Sequence, residues 1–73
     1  MSHGASESVS QDVRRHALYE ALNRAGGVTP LAAIVNSSAS SLLSFAAGML
    51  PVPDALYVQL RDFILDQKMR TPN

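Results

Sequence analysis

The chain has 73 residues, about half the length of an ordinary domain, so it has room for one small hydrophobic core. Six Lys and Arg residues balance six Asp and Glu residues, and this zero net charge argues against a polybasic nucleic-acid binder. The absence of cysteine excludes disulfide bonds, thiolate zinc sites and cysteine nucleophiles, and the apolar runs are too short to span a membrane.

Both ends of the chain are predicted to lie outside the folded domain. Residues 1–11 contain four serines and a single branched apolar residue, Val9, so we expect a flexible arm. They also lack the charged and apolar blocks of a secretory signal, which favours a cytoplasmic protein. A frayed tail is expected over 70–73, which leaves 12–69 as the folded domain.

The first two helices are predicted from periodicity and capping residues. Apolar residues recur at intervals of three and four over 12–25, with Ser10 as the expected N-cap and Gly26 as the expected C-cap. The second helix is predicted over 30–36, with Thr29 as its N-cap and a proline at its first position.

The third helix is predicted over 39–47, with Ser38 as its N-cap, and the fourth over 53–68. Two prolines make the connection between them extended. No segment shows the period of a strand, so the predicted fold is a small all-α domain of four helices. The predicted core consists of Leu22, Leu31, Val35, Leu42, Phe45, Leu60 and Phe63, and Ile34 is also expected on the buried side of its helix.

Residues 28–45 have the spacing of a helix-turn-helix motif. Ala32 occupies the position where the two helices cross closely, and Leu42 and Phe45 occupy the inward positions of the second helix. This pattern resembles the lambda Cro and repressor family over residues 17–63. Asn36 stands in place of the usual turn glycine, and the neighbouring Ser37 in place of a buried aliphatic residue.

The resemblance implies a Cro-type DNA-binding repressor as the alternative function, since the second helix of that motif reads base edges in the major groove. Between Arg24 and Arg61 the only charged residue is Asp54, so phosphate anchors are missing and we expect weak or no DNA binding. The positions that would contact DNA in this alternative are Thr29, Ser38, Ser40 and Ser44.

No set of residues in the sequence indicates catalysis. His16 is predicted to be a solvated histidine on an exposed helix face, and the serines to be cap and surface residues. Asp62 and Asp66 are four residues apart on a helix but lack a third metal ligand. We therefore expect no enzymatic activity, no cofactor and no metal site.

A second apolar stripe on the fourth helix has no evident place in the core and indicates a protein-binding surface. Cations on the first and fourth helices are expected to steer a partner toward it. The predicted protein-binding residues are Arg14, Arg15, Arg24, Val58, Arg61, Leu65 and Met69. We expect a monomer in preference to a homodimer.

A neutral chain of this length with a degenerate helix-turn-helix resembles the small early proteins by which bacteriophages redirect host transcription. Among them are RNA-polymerase-binding regulators such as those of Xanthomonas phages. The resemblance implies a transcription regulator that binds bacterial RNA polymerase in the host cytoplasm. It further implies that the protein competes with the sigma factor, inhibits initiation and permits antitermination, without specific contact to DNA.

Overall fold

The computed structural model describes residues 9–70, and these residues contain four α-helices and no strand. The helices are α1 (Gln11–Ala25), α2 (Val28–Ile34), α3 (Ala39–Ala46) and α4 (Asp54–Arg70). The predicted all-α fold is therefore confirmed. No single helix in this part of the chain is long and apolar enough to cross a lipid bilayer; α2 and α3 reach that length and apolar content only together, across a 111° bend.

The predicted caps of α1 and α3 are confirmed. Ser10 Oγ accepts a hydrogen bond of 3.2 Å from the backbone N–H of Val13, and Ser38 Oγ accepts one of 3.1 Å from Ser41. Gly26 ends α1 in the left-handed conformation with a φ of 92°. These contacts satisfy backbone groups that would otherwise lack partners at the helix ends.

The start of α2 differs from the prediction. The helix begins at Val28, two residues earlier than expected, and its N-cap is Gly27, which makes no side-chain cap bond. Thr29 therefore lies inside the first turn, so its assignment as the N-cap is wrong. The early start has a physical reason: it places Val28 inside the helix with its side chain packed against the core.

One hydrophobic core joins all four helices. Of the predicted core residues, Leu31, Val35, Leu42 and Leu60 are buried, while Leu22, Phe45 and Phe63 are partly buried and pack against them. The expectation that Ile34 faces inward is wrong, because the short α2 packs through Leu31 and Val35 and leaves Ile34 half exposed. The core also includes residues that the predicted set lacked: Leu18, Ala21, Val52, Leu56 and Ile64.

The connection between α3 and α4 is tied to the start of α1. Val52, between two prolines, is buried, and its backbone N–H donates to Gln11 Oε1 at 2.6 Å. Gln11 Nε2 donates in turn to the Val52 carbonyl at 3.3 Å. The boundary predicted after residue 11 is therefore wrong, since Gln11 belongs to the folded domain; residues 1–8 of the predicted arm lie outside the described residues.

The C-terminal boundary also shifts by one residue. Arg70 is the last residue of α4, and its Nε lies 2.8 Å from the Asp66 carboxylate one turn earlier. A cation in the last helical turn interacts favourably with the helix dipole, which accounts for the extension. Arg70 is therefore helical rather than part of a frayed tail, and residues 71–73 lie outside the described part of the chain.

Candidate protein-binding surface

The outer face of α4 carries three large exposed apolar side chains. Val58, Leu65 and Met69 recur at helical spacing on the side of the helix opposite the buried Leu60. Leu65 is 49% exposed and Met69 is 84% exposed. The exposure that the sequence predicted for this stripe is therefore present in the structure.

Two shallow depressions border α4, and Arg61 lines both of them; the first also involves Val9, which precedes α1, and the second lies between α1 and α4. The first, of about 380 Å³, is lined by Tyr57 and Val58 among others. The second, of about 220 Å³, is lined by Val13 and Leu65 among others. We refer to this surface as the α1–α4 groove, defined by Val13, Tyr57, Val58, Arg61 and Leu65.

Two groove residues, Val13 and Tyr57, are absent from the predicted protein-binding set, and Val13 is the one whose exposure differs from expectation. It belongs to the apolar repeat of the first helix, which predicts an inward side chain, yet it is half exposed. A signal for its exposure exists in the sequence, because Glu20 and Arg24 lie seven and eleven residues later and share its face of the helix. Glu20 lines the same depression as Val13.

Arg14 does not occupy the exposed position that a steering charge requires. Its side chain is only 10% exposed, and Nη1 donates a 2.9 Å hydrogen bond to the carbonyl of Val52. Nε donates to the Val9 carbonyl at 3.3 Å, and Nη2 lies 2.5 Å from Asp54 Oδ1. The expectation for Arg14 is corrected for this reason: the guanidinium holds the start of α1 to the connection before α4.

The aromatic ring of Tyr57 lies beside two guanidinium groups. The central guanidinium carbon of Arg14 is 5.6 Å from the ring centroid, and that of Arg61 is 5.8 Å away. Each distance is within the range of a cation–π interaction, which contributes about 0.5–1 kcal/mol at an exposed site. Arg61 is therefore oriented by Tyr57 while its charge stays accessible in the groove.

The other two predicted steering cations are engaged in ion pairs on α1. Arg15 Nη2 lies 2.7 Å from Asp12, and Arg24 Nε lies 3.0 Å from Glu20. Because their charges are locally compensated, they contribute less to a long-range field than unpaired cations would. Of the predicted set, the groove brings together Val58, Arg61 and Leu65, with Met69 one turn further along α4.

The predicted DNA-contacting residues lie on a surface without charge. The Ser38 hydroxyl is occupied by capping, Ser40 is exposed, and Ser44 is half-buried. Leu43, 54% exposed, lies on the same outer face of α3. Thr29 is exposed in the first turn of α2. No residue from 28 to 53 is ionisable as Asp, Glu, Lys, Arg or His, so this face offers no charged phosphate anchor.

Comparisons with known protein families, characterised proteins and solved structures found no match to this chain. Among residues 9–70, no three His, Asp or Glu side chains are grouped so that they could hold a metal ion. A function for this protein is therefore inferred from the shape and chemistry of its surfaces.

Proposed function

We propose that this protein is a phage-type transcription regulator that binds bacterial RNA polymerase through the α1–α4 groove and the outer face of α4. The observation that carries the proposal is the exposed row of Val58, Leu65 and Met69 on a helix whose opposite face fills the core. Met is enriched in protein interfaces, and charged residues are depleted at their centres. The row consists of one methionine and two aliphatic residues, with Asp62 as the charged residue between Val58 and Leu65 on the same face.

The charge distribution favours protein over DNA as the partner. Four of the six Lys and Arg residues form ion pairs with carboxylates in the structure, namely Arg14, Arg15, Arg24 and Arg70. DNA affinity depends on cations that neutralise phosphates, and a helix pair without them lacks most of that free energy. A neutral surface with an apolar centre is compatible with a protein partner instead.

The identity of the partner rests on the helix-turn-helix interpretation. The bend of 111° between α2 and α3 lies within the range of about 90–120° found in helix-turn-helix motifs. Asn36 adopts a φ of 56°, the left-handed conformation that the turn glycine supplies in that motif. We take the pair as a degenerate helix-turn-helix, which supports the resemblance to phage regulators of RNA polymerase.

The proposed action follows from that resemblance. The monomer binds the polymerase in the bacterial cytoplasm, competes with the sigma factor and thereby inhibits initiation, while antitermination remains permitted. Arg61 adds an accessible charge beside the apolar row. Rim charges of this kind act mainly on the rate of association, so we expect salt to slow the formation of the complex.

Capture of purified bacterial RNA polymerase by the immobilised protein, in the presence of DNase, tests the proposal. Leu65→Glu should abolish capture, because it places an unpaired charge in the apolar centre of the interface. Leu43→Glu is the matched control, since Leu43 has similar exposure on the outer face of α3. It should leave capture unchanged, and circular dichroism should show both variants folded.

Two results would contradict the proposal. The first is the absence of capture by the folded wild-type protein at any salt concentration. The second is equal capture by the wild type and by the folded Leu65→Glu variant. If Leu43→Glu alone abolished capture, the polymerase would bind the α3 face instead, and the assignment of the α1–α4 groove would be wrong.

A DNA-binding repressor of the Cro type is the second candidate, and the geometry of the α2–α3 turn favours it. A mobility-shift assay with genomic fragments separates the two functions. We expect weak or no binding of DNA at physiological salt. A fragment bound at nanomolar concentration, and released by Ser40→Ala or Thr29→Ala, would establish the repressor and contradict the protein-binding proposal.

A further inference from the structure

We infer that the outer face of α4 also pairs two copies of this chain, with the two helices parallel. Five exposed residues along this face are spaced alternately by three and four, the a/d spacing of a coiled coil. Four of the five are apolar. The seam consists of Ala55, Val58, Asp62, Leu65 and Met69.

The charges on either side of the seam fit a second copy in the parallel orientation. In parallel coiled coils, the residue at position g contacts position e five residues later in the partner helix. In this register Arg61 is at g and Asp66 at e, five residues apart, so two copies form the Arg61–Asp66 pair twice. Both side chains are exposed, and Arg61 forms no salt bridge among the described residues.

An antiparallel arrangement of the same two helices is disfavoured by these charges. It brings the g edge of one helix, formed by Asp54, Arg61 and Lys68, against the same edge of the other, so that Arg61 meets its own copy; Asp54, the one anion of this edge, is already paired with Arg14. Like charges placed opposite each other repel. Asp66 already pairs with Arg70 through Oδ2, which leaves its other carboxylate oxygen for Arg61 of the second copy.

Asp62 sets the strength of this association. At an a position it faces its own counterpart across the parallel pair, where two like charges oppose association. We therefore expect a reversible dimer that forms at high protein concentration rather than a permanent one. Asp62→Leu should shift dimer formation to lower protein concentration, since it completes the apolar seam.

The inference that two copies pair does not rest on the proposed function. If both hold, however, dimer formation and polymerase binding compete. The dimer and the polymerase complex use the same face of α4, so one copy cannot form both at once. The monomer is the form that binds polymerase, and self-association withdraws it from that partner.

Cysteine cross-linking tests the orientation directly, since the natural chain has no cysteine. Leu65→Cys and Met69→Cys, made separately, should each give a covalent dimer under mild oxidation, because a parallel pair places each residue beside its own copy. In an antiparallel pair, at most one of these two residues lies beside its own copy, so at most one variant would cross-link. Leu43→Cys, at a position on α3 with an exposure similar to that of Leu65, is the control for random collision and should remain monomeric.

Reversing the charge of Arg61 in one variant and of Asp66 in another then tests the proposed ion pair, with the oligomeric state measured by sedimentation. Arg61→Glu and Asp66→Arg should each be monomeric at concentrations where the wild type is dimeric, and an equimolar mixture of the two should form a heterodimer. Lys68→Glu should leave association unchanged, since its counterpart in the partner is Asn73, whose side chain carries no charge.

The inference is overturned if the wild type stays monomeric at millimolar concentration, if neither cysteine variant cross-links above the control, or if the mixture stays monomeric. Stronger association of Arg61→Glu would show the antiparallel arrangement and would equally contradict the inference. None of these measurements involves RNA polymerase. The dimer can therefore be established or refuted whether or not the protein captures the polymerase.

Discussion

The two halves of this molecule are stabilised in different ways. The α2–α3 pair contains no charged residue, and its turns are formed by a serine cap, a left-handed Asn36 and apolar packing. The α1 and α4 helices carry every ion pair found among residues 9–70, and Arg14 connects α1 to Asp54 at the start of α4. The α2–α3 pair therefore folds by capping and apolar packing alone, without charged side chains of its own.

Both halves pack into the same hydrophobic core, so we expect the largest loss of folding stability from a substitution there. Leu42 is fully buried, and Leu42→Ala should lower the free energy of unfolding by about 2–5 kcal/mol. In so small a domain this loss is enough to unfold much of the protein at room temperature. Chemical denaturation measures the change.

The matched variant is Leu43→Ala, at the next residue, which is exposed. It should change the free energy of unfolding by less than about 0.5 kcal/mol, as is usual for surface substitutions. Equal losses in the two variants would mean that α3 does not pack through Leu42.

Removal of the buried guanidinium should destabilise the α1–α4 half by a smaller amount. Arg14→Ala leaves the Val9 carbonyl without the donor seen in the structure and breaks the contact to Asp54, so we expect a loss of about 1–3 kcal/mol. Thermal unfolding followed by circular dichroism measures it. Arg15→Ala, which removes an exposed ion pair, should cost at most about 1 kcal/mol.

The Gln11 contact with Val52 should contribute less than Arg14. Gln11→Ala removes the acceptor of the Val52 N–H and should cost about 1 kcal/mol. Gln11→Glu keeps the acceptor of the Val52 N–H but loses the donor to the Val52 carbonyl, so it should restore only part of the stability lost in the alanine variant. Hydrogen exchange at the Val52 amide provides a second readout, and unchanged protection in Gln11→Ala would contradict the contact.

An effect no larger than that of Gln11→Ala is expected at the turn between α2 and α3. Asn36→Ala should cost about 1 kcal/mol, because alanine tolerates the left-handed conformation poorly. Asn36→Gly should cost less than alanine, since glycine adopts this conformation without steric strain. Equal stability of the two variants in chemical denaturation would show that the left-handed conformation of Asn36 is not needed.

The α4 residues of the candidate site, Arg61 among them, could be predicted from the sequence, but the exposure of Val13 and the contacts of Arg14 could not. Val58, Leu65 and Met69 are exposed as predicted, because their positions on α4 are opposite a continuous apolar face. Arg14 gave no comparable signal, since its two backbone acceptors and Asp54 come from other segments, and the Val52 carbonyl is 38 residues away. A periodic pattern contains no information about such partners.

The sequence by itself determined the number of helices, their order and the caps at Ser10, Gly26 and Ser38. These features depend on hydrogen bonds that span three or four residues, so the local residues are sufficient to specify them. Only the tertiary structure decided that Val52 is buried between two prolines and that Ile34 is exposed. Burial of these side chains depends on which distant helices pack against them, and local periodicity does not specify that packing.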